Sequence, residues 1–270
     1  MLRQIMVTRA KQIFRRFGLE VHRATPIEHF DWQSAIDGTA AHTNSTNSNP
    51  LREFFDNRKR GPGIWKWNHY FDIYDRHFRR FRGQEVYVLE IGVYSGGSLE
   101  MWRDYFGPKA RIYGVDIEPA CRAYENDSVK IFIGDQADRM FWHEFRRKVP
   151  ALDIVIDDGG HHPNQQIVSL EELLPFLRPG GVYFCEDVCG AFNQFASYVH
   201  GLGHKLNDNS LSKDFSDDNE RRIVCDCTPV QSVVGSIHVY PFVCVLEKNT
   251  SKITELVAPK HGTQWQPFLG

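Results

Sequence analysis

The chain has 270 residues, 41% of them hydrophobic, and its 32 Lys and Arg stand against 34 Asp and Glu for a formal net charge of −2. This balance excludes a disordered tail protein and a dedicated nucleic-acid binder with a large basic excess. No stretch reaches the roughly 18 consecutive apolar residues that a membrane-spanning helix requires. The length suits one large domain, or one domain with an appendage. Less ordinary are the 12 His and the 19 Phe, 10 Tyr and 6 Trp, and where these fall directs the search for a site.

Residues 1–23 carry Arg3, Arg9, Lys11, Arg15, Arg16 and Arg23 against Glu20, with Ile5, Met6, Ile13, Phe14 and Phe17 as a partial apolar side. The charges interrupt any apolar core of a secretory signal. The segment reads first as an oligomerisation or packing arm, and second as a helix lying on an anionic membrane surface. Residues 34–50 are small and polar and read as a linker. The expected organisation is therefore an arm and linker over 1–50, the main domain over 51–250 and a C-terminal tail over 251–270. The six cysteines, Cys121, Cys185, Cys189, Cys225, Cys227 and Cys244, are expected to be reduced thiols in a cytoplasmic protein, and Cys225 and Cys227 lack the paired spacing of a structural zinc site.

Just before the main alternation, Gly63-Ile64-Trp65-Lys66-Trp67-Asn68-His69-Tyr70 concentrates aromatic residues. Two readings stand: a hydrophobic staple onto a sheet, or the wall of a site. Short β-branched runs then alternate with helical patterns. Strands are expected at Val86–Ile91, Arg111–Asp116, Val129–Ile133, Asp153–Asp157 and Gly181–Cys185, and helices at Ser98–Phe106, Ala137–Lys148 and Pro163–Leu177, which is the mark of βαβ units and a parallel sheet. Val233–Val239 and Phe242–Glu247 are too close for a helical crossover and must pair antiparallel. This layout resembles the class I methyltransferase fold: α/β, Rossmann-like, with five parallel strands plus a C-terminal antiparallel hairpin and helices on both faces.

In an open α/β sheet a ligand lies at the carboxyl ends of the strands, where strand order reverses. Strand one ends in Glu90-Ile91-Gly92-Val93-Tyr94-Ser95-Gly96-Gly97-Ser98. Glycines there permit a tight turn and close approach of a ligand, and Ser98 can cap the following helix. The pattern resembles motif I of the S-adenosylmethionine (SAM) methyltransferases and differs from a Walker loop, because no Lys-Ser or Lys-Thr follows the glycines. Asp116 ends strand two, where a carboxylate can accept both ribose hydroxyls. Asp135, followed by Gln136, sits where methyltransferases place the group that meets the adenine amine. The resemblance thus implies SAM contacts from Glu90, Gly92, Tyr94, Ser95, Gly96, Ser98, Asp116, Asp135, Gln136 and Asp157.

Strand four runs into Asp157-Asp158-Gly159-Gly160-His161-His162 and strand five into Glu186-Asp187. These neighbouring loops bring four carboxylates and two imidazoles together, and like charges within about 4–6 Å raise one another's pKa. A divalent cation, rather than Lys or Arg, is expected to relieve this conflict, and the oxygen donors suit Mg²⁺, Mn²⁺ or Ca²⁺. The plainer reading, helix caps or pairing with Arg, needs one carboxylate per loop, whereas here each loop carries two. An aliphatic hydroxyl becomes a competent nucleophile when a metal lowers its pKa and a His removes its proton.

From about residue 61 to 246 the chain resembles the metal-dependent sugar O-methyltransferases of macrolide biosynthesis, the mycinamicin and rhamnosyl type, and the related cephalosporin hydroxylase-like family. The resemblance implies that Asp158, Glu186 and Asp187 hold Mg²⁺ and that His161 is the general base, with His162 able to share or take over that role. It also implies that the 63–70 segment closes over SAM or substrate. Gly160 stands where the family commonly has Ser. Residues 189–220, with Phe192, Phe195, Tyr198, His200 and His204, are expected to form a lid over the acceptor. The expected function is SAM-dependent, Mg²⁺-assisted O-methylation of a sugar or glycosylated small molecule, with catechol-type small-molecule O-methylation and a non-catalytic SAM-binding protein as the alternatives, and a homo-oligomer is implied by the family.

Overall fold

The computed structural model describes residues 48–190, 192–208, 222–259 and 261–262. The readings of the basic arm, of most of the linker and of part of the lid lie outside these residues. Helix α1 (Pro50–Asn57) opens the described chain, with Asn49 accepting the Leu51 N–H at 3.0 Å and Pro50 in the first turn, where a missing N–H costs nothing. Helix α2 (Tyr70–Phe78) follows and buries Tyr70, Phe71, Ile73, Tyr74, His77 and Phe78.

Strands β1 (Tyr87–Ile91), β2 (Arg111–Asp116), β3 (Val129–Ile133), β4 (Leu152–Asp157) and β5 (Leu177–Cys185) are the expected parallel set. Strand β6 (Arg222–Asp226) leaves this sheet, and β7 (Val234–Tyr240) and β8 (Val243–Lys248) form the hairpin. The seven strands run in the order β3-β2-β1-β4-β5-β8-β7, with β8 antiparallel to β5. The reversal of order lies between β1 and β4, so the crevice at their carboxyl ends is the expected ligand position.

Side-chain alternation along the strands divides the core. Val88, Ile112, Ile154, Ile156, Val182, Phe184 and Val245 pack with α2 and with α3 (Gly97–Phe106) on one face. Leu89, Ile91, Val155, Tyr183, Cys185 and Leu246 pack on the other with α4 (Arg139–Lys148), α5 (Pro163–Leu173) and α6 (Gln194–Leu206). A sheet buried on both faces explains why its strands read as nearly continuous apolar runs.

Element bounds differ from expectation in places: α4 begins at Arg139, two residues late, and β5 at Leu177, four residues early. Helix α3 begins one residue early, with Gly96 in the left-handed region at φ 73° as its cap, and Ser98 lies in the first turn. Helix α5 ends at Leu173, four residues short, ahead of Pro175, which has no N–H to continue the ladder. The stretch expected as a tail contributes β9 (Glu255–Pro259), paired antiparallel with β6 in a second sheet. A short helix α7 (Pro229–Val233), boxed by Thr228 and Gln231, links β6 to β7. All six cysteines are free.

Phe184 has no exposed surface and lies 4.7 Å from the Tyr74 ring and 5.5 Å from that of Phe78, centroid to centroid. Phe184→Ala is expected to lower unfolding free energy by about 3–5 kcal/mol, read from urea denaturation.

Candidate active site

The glycine-rich turn after β1 is shaped by contacts that leave no room for side chains. Gly92 has φ +90°, and a Cβ there would lie 2.0 Å from the Asp158 carbonyl oxygen, so the turns after β1 and β4 touch through backbone. A Cβ on Gly97 would lie 2.4 Å from the Gly63 carbonyl oxygen, which sets the aromatic segment directly over the turn. Asp116 braces the same turn: its Oδ2 accepts the N–H groups of Val93 and Tyr94 at 2.8 and 3.0 Å, and its Oδ1 that of Glu118 at 2.9 Å. Burial raises its pKa, but these backbone donors outweigh it and hold the carboxyl below the usual range.

Several residues expected at the cofactor are engaged with protein groups at the strand ends. Glu90 is fully buried, accepting from Ser98 Oγ at 2.7 Å and Trp102 Nε1 at 3.1 Å, so Ser98 secures the strand-end carboxylate and does not cap the helix. Asp157 is also buried, with the Tyr183 hydroxyl at 2.6 Å and Gln136 Nε2 at 3.0 Å. Gln136 accepts the Gly160 N–H at 2.8 Å and so joins the turns after β3 and β4. Tyr94 and Asp135 are exposed and Ser95 half-buried, which leaves these three available to a ligand.

The strand-end carboxylates separate into an inner and an outer group. Inside, the Lys66 ammonium donates to Asp158 Oδ2 and to Glu186 at 3.0 and 3.1 Å, and lies 3.6 Å from Glu90. Its side chain is 2% exposed. The Tyr74 hydroxyl adds a 2.6 Å bond to Glu186. Burial alone would lower the Lys66 pKa, yet Asp158, Glu186 and Glu90 together hold it above its ordinary value. Burial pushes Glu186 well up, and Asp158 adds to this. The expectation that a metal rather than a Lys or Arg relieves the acidic cluster is thus corrected on the inner side: Glu186 faces an ammonium, because the 63–70 segment threads Lys66 between the strand ends.

Outside, Asp187 accepts from the Tyr70 hydroxyl at 2.7 Å and from Trp67 Nε1 at 3.0 Å. His161 Nε2 lies 3.6 Å from Asp187 Oδ2 and 3.9 Å from Asp158 Oδ1. Asp158, His161 and Asp187 offer ligand atoms within 4.8 Å of one another, a spacing and donor set that fit a divalent ion. Of the two histidines only His161 enters this cluster; His162 is exposed and starts α5, its backbone N–H donating to Gln165 Oε1 at 3.3 Å. Among the described residues the non-glycine positions with positive φ are Tyr94, His161, Asp187 and Phe242. Two belong to the outer cluster, one to the glycine-rich turn, and Phe242 offers its carbonyl to Tyr70 at 3.4 Å, so backbone strain gathers at this site.

Sequence reading missed Lys66, Tyr70 and Tyr74 as site residues. The available signal was one cation inside an otherwise aromatic run.

The fold is the Rossmann-like one of methyltransferases, and residues 89–188 match the family described as "Methyltransferase domain". Over part of its length the chain is similar to O-methyltransferases. It is 43% identical over 126 residues to mycinamicin VI 2''-O-methyltransferase of Micromonospora griseorubida, covering 44% of this chain and 31% of that one. It is 30% identical over 208 residues to 8-demethyl-8-alpha-L-rhamnosyl tetracenomycin-C 2'-O-methyltransferase of Streptomyces olivaceus, covering 72% and 53%. Among solved structures it is similar to the MycE methyltransferase from the mycinamycin biosynthetic pathway in complex with Mg and SAH, with a TM-score of 0.59, 30% identity and coverage of 74% and 54%. The chain spans between about a third and about half the length of these relatives.

Lys66→Met removes the counter-charge from the buried Glu90 and Glu186 and from the part-buried Asp158, and is expected to cost about 3–5 kcal/mol at neutral pH. Glu186 holds its proton to higher pH in the folded chain than in the unfolded one. Stability therefore falls as pH rises from the ordinary carboxylate range through the raised value. Denaturation of Lys66→Met at about pH 5.5 and about pH 8 should show the larger loss at the higher pH.

Proposed function

We propose that this chain is a SAM-dependent, Mg²⁺-assisted O-methyltransferase acting on a hydroxyl of a sugar or glycosylated small molecule. The observation that carries the reading is the cluster of Asp158, His161 and Asp187 at the ends of β4 and β5, beside the glycine-rich turn after β1. When bound, SAM supplies an electrophilic methyl group and Mg²⁺ lowers the pKa of the acceptor hydroxyl.

Asp158 and Asp187 would hold the ion, and Glu186 joins them only where Lys66 gives it up. His161 takes the hydroxyl proton at Nε2, the nitrogen flanked by the two carboxylates. Tyr70 and Trp67 fix Asp187 through its Oδ1, leaving Oδ2 toward His161. Tyr94, Ser95 and Asp135 meet the cofactor, with Asp116 acting through the turn it braces. Exposed aromatic rings at Trp65, Trp67 and Phe192 provide faces on which a sugar ring can lie. The relatives named above act on sugar-bearing acceptors by their own names, which supports a glycoside here. Free thiols throughout fit a cytoplasmic setting, and among the described residues no helix is long and apolar enough to cross a membrane.

His161→Ala should lower turnover by about 10²–10⁴-fold, the usual size of general-base catalysis, with SAM affinity by calorimetry nearly unchanged. His162→Ala should stay near wild type, and an equal loss there with none at His161 would move the role. The deciding experiment is transfer of label from radiolabelled SAM to glycosylated and catecholic acceptors, with and without Mg²⁺. Mg²⁺-dependent labelling of a glycoside is expected; labelling of catechols alone would replace the acceptor class, and absence of SAM binding would remove the enzymatic reading.

A further inference from the structure

A second group of ligand-type side chains lies away from this crevice, where α2 packs on the outer hairpin. His77 comes from α2, His238 from β7 and Glu247 from β8, and one ligand atom from each lies within 4.8 Å of the others. We propose that His77, His238 and Glu247 form a transition-metal site, of the kind occupied by Zn²⁺, that clamps α2 to the β7–β8 hairpin.

The hairpin register places the ligands on one face. Ser236 stands opposite Glu247 and His238 opposite Val245, so Ser236, His238, Tyr240 and Glu247 project together. Helix α2 lays His77, with a side chain 3% exposed, against that face. His77 Nδ1 is 2.8 Å from Glu247 Oε1, and its Nε2 is 3.0 Å from the Tyr240 hydroxyl. Here Nδ1–H donates to the carboxylate and Nε2 accepts from the Tyr240 hydroxyl; a metal at Nδ1 displaces that proton, and the ring then donates from Nε2 to Tyr240, an outer hydrogen bond of the kind that orients a metal-bound imidazole. His238 is held through Nε2 by the Ser236 hydroxyl at 3.0 Å, and its ring meets His77 edge to face with centroids 4.8 Å apart.

Two imidazoles and one carboxylate select Zn²⁺, Co²⁺ or Ni²⁺ over Mg²⁺, which prefers oxygen. Bonds of about 2.0–2.1 Å around a tetrahedral ion set ligand atoms about 3.3 Å apart, so closure needs only side-chain shifts of about 1 Å. Arg80 is the competing cation, 3.4 Å from Glu247 Oε1. It is half-exposed and also donates to the Gly180 carbonyl at 3.1 Å, so it can release Glu247 and keep that second bond. The site lies two helical turns along α2 from Tyr70, about 10 Å by helix rise, and is separate from the outer carboxylate cluster.

The test uses the full chain without a histidine tag, carrying Asp158→Asn so that the crevice does not contribute. Co²⁺ is titrated and its visible absorption followed, with thermal unfolding measured in parallel with Zn²⁺. One equivalent is expected to give an intense tetrahedral band that Zn²⁺ displaces and excess Mg²⁺ does not, together with a Zn²⁺-dependent rise in Tm. Both signals should vanish in His238→Ala and weaken in Glu247→Gln, a pair of variants that guards against one of them failing to fold. No band, or a band unchanged in both variants, would overturn the proposal.

Discussion

Glu90, near the end of β1, and Asp158 and Glu186, just beyond β4 and β5, converge on a single ammonium, that of Lys66. Without it, three neighbouring parallel strands would meet in like charges, two of them buried, at a cost of about 3–5 kcal/mol. Much else follows from that contact. To reach the carboxylates, the chain before α2 must run across the glycine-rich turn, and so Gly97 can carry no side chain. The same passage delivers Trp67 and Tyr70 to Asp187 and Tyr74 to Glu186.

The result is a site in two layers. Inner carboxylates are satisfied by protein groups and fix the geometry of the strand ends. Outer ones, Asp187 and the free side of Asp158, stay within reach of His161 and of a ligand in the crevice. Residues that look interchangeable in the sequence therefore differ in role by which side of the sheet's edge they face. Glu186 and Asp187 are adjacent, yet one meets an ammonium and the other an indole, a phenol and an imidazole.

The sheet was legible because each of its parallel strands carries its own signal, a short apolar run closed by glycine or an acidic residue, and because βαβ spacing leaves few topologies open. The acidic and histidine cluster was legible for the same reason, since it lies just beyond strands that could be located. What escaped depends on pairing between distant segments. Nothing local announces that Arg222–Asp226 will pair with Glu255–Pro259, or that Lys66 will meet residues far along the chain. Ser98 shows the other kind of miss: a hydroxyl next to a helix start is a good cap on local grounds, but a buried glutamate eight residues back has the stronger claim on it.

The separation of these partners sets what the ammonium does for the chain. Lys66 lies 92 residues from Asp158 and 120 from Glu186, so its contacts close loops that contain β1 through β4 and β1 through β5, at an entropy cost that grows only slowly with loop length. A single side chain thereby ties the segment ahead of the sheet to its fourth and fifth strands, a staple without a covalent bond.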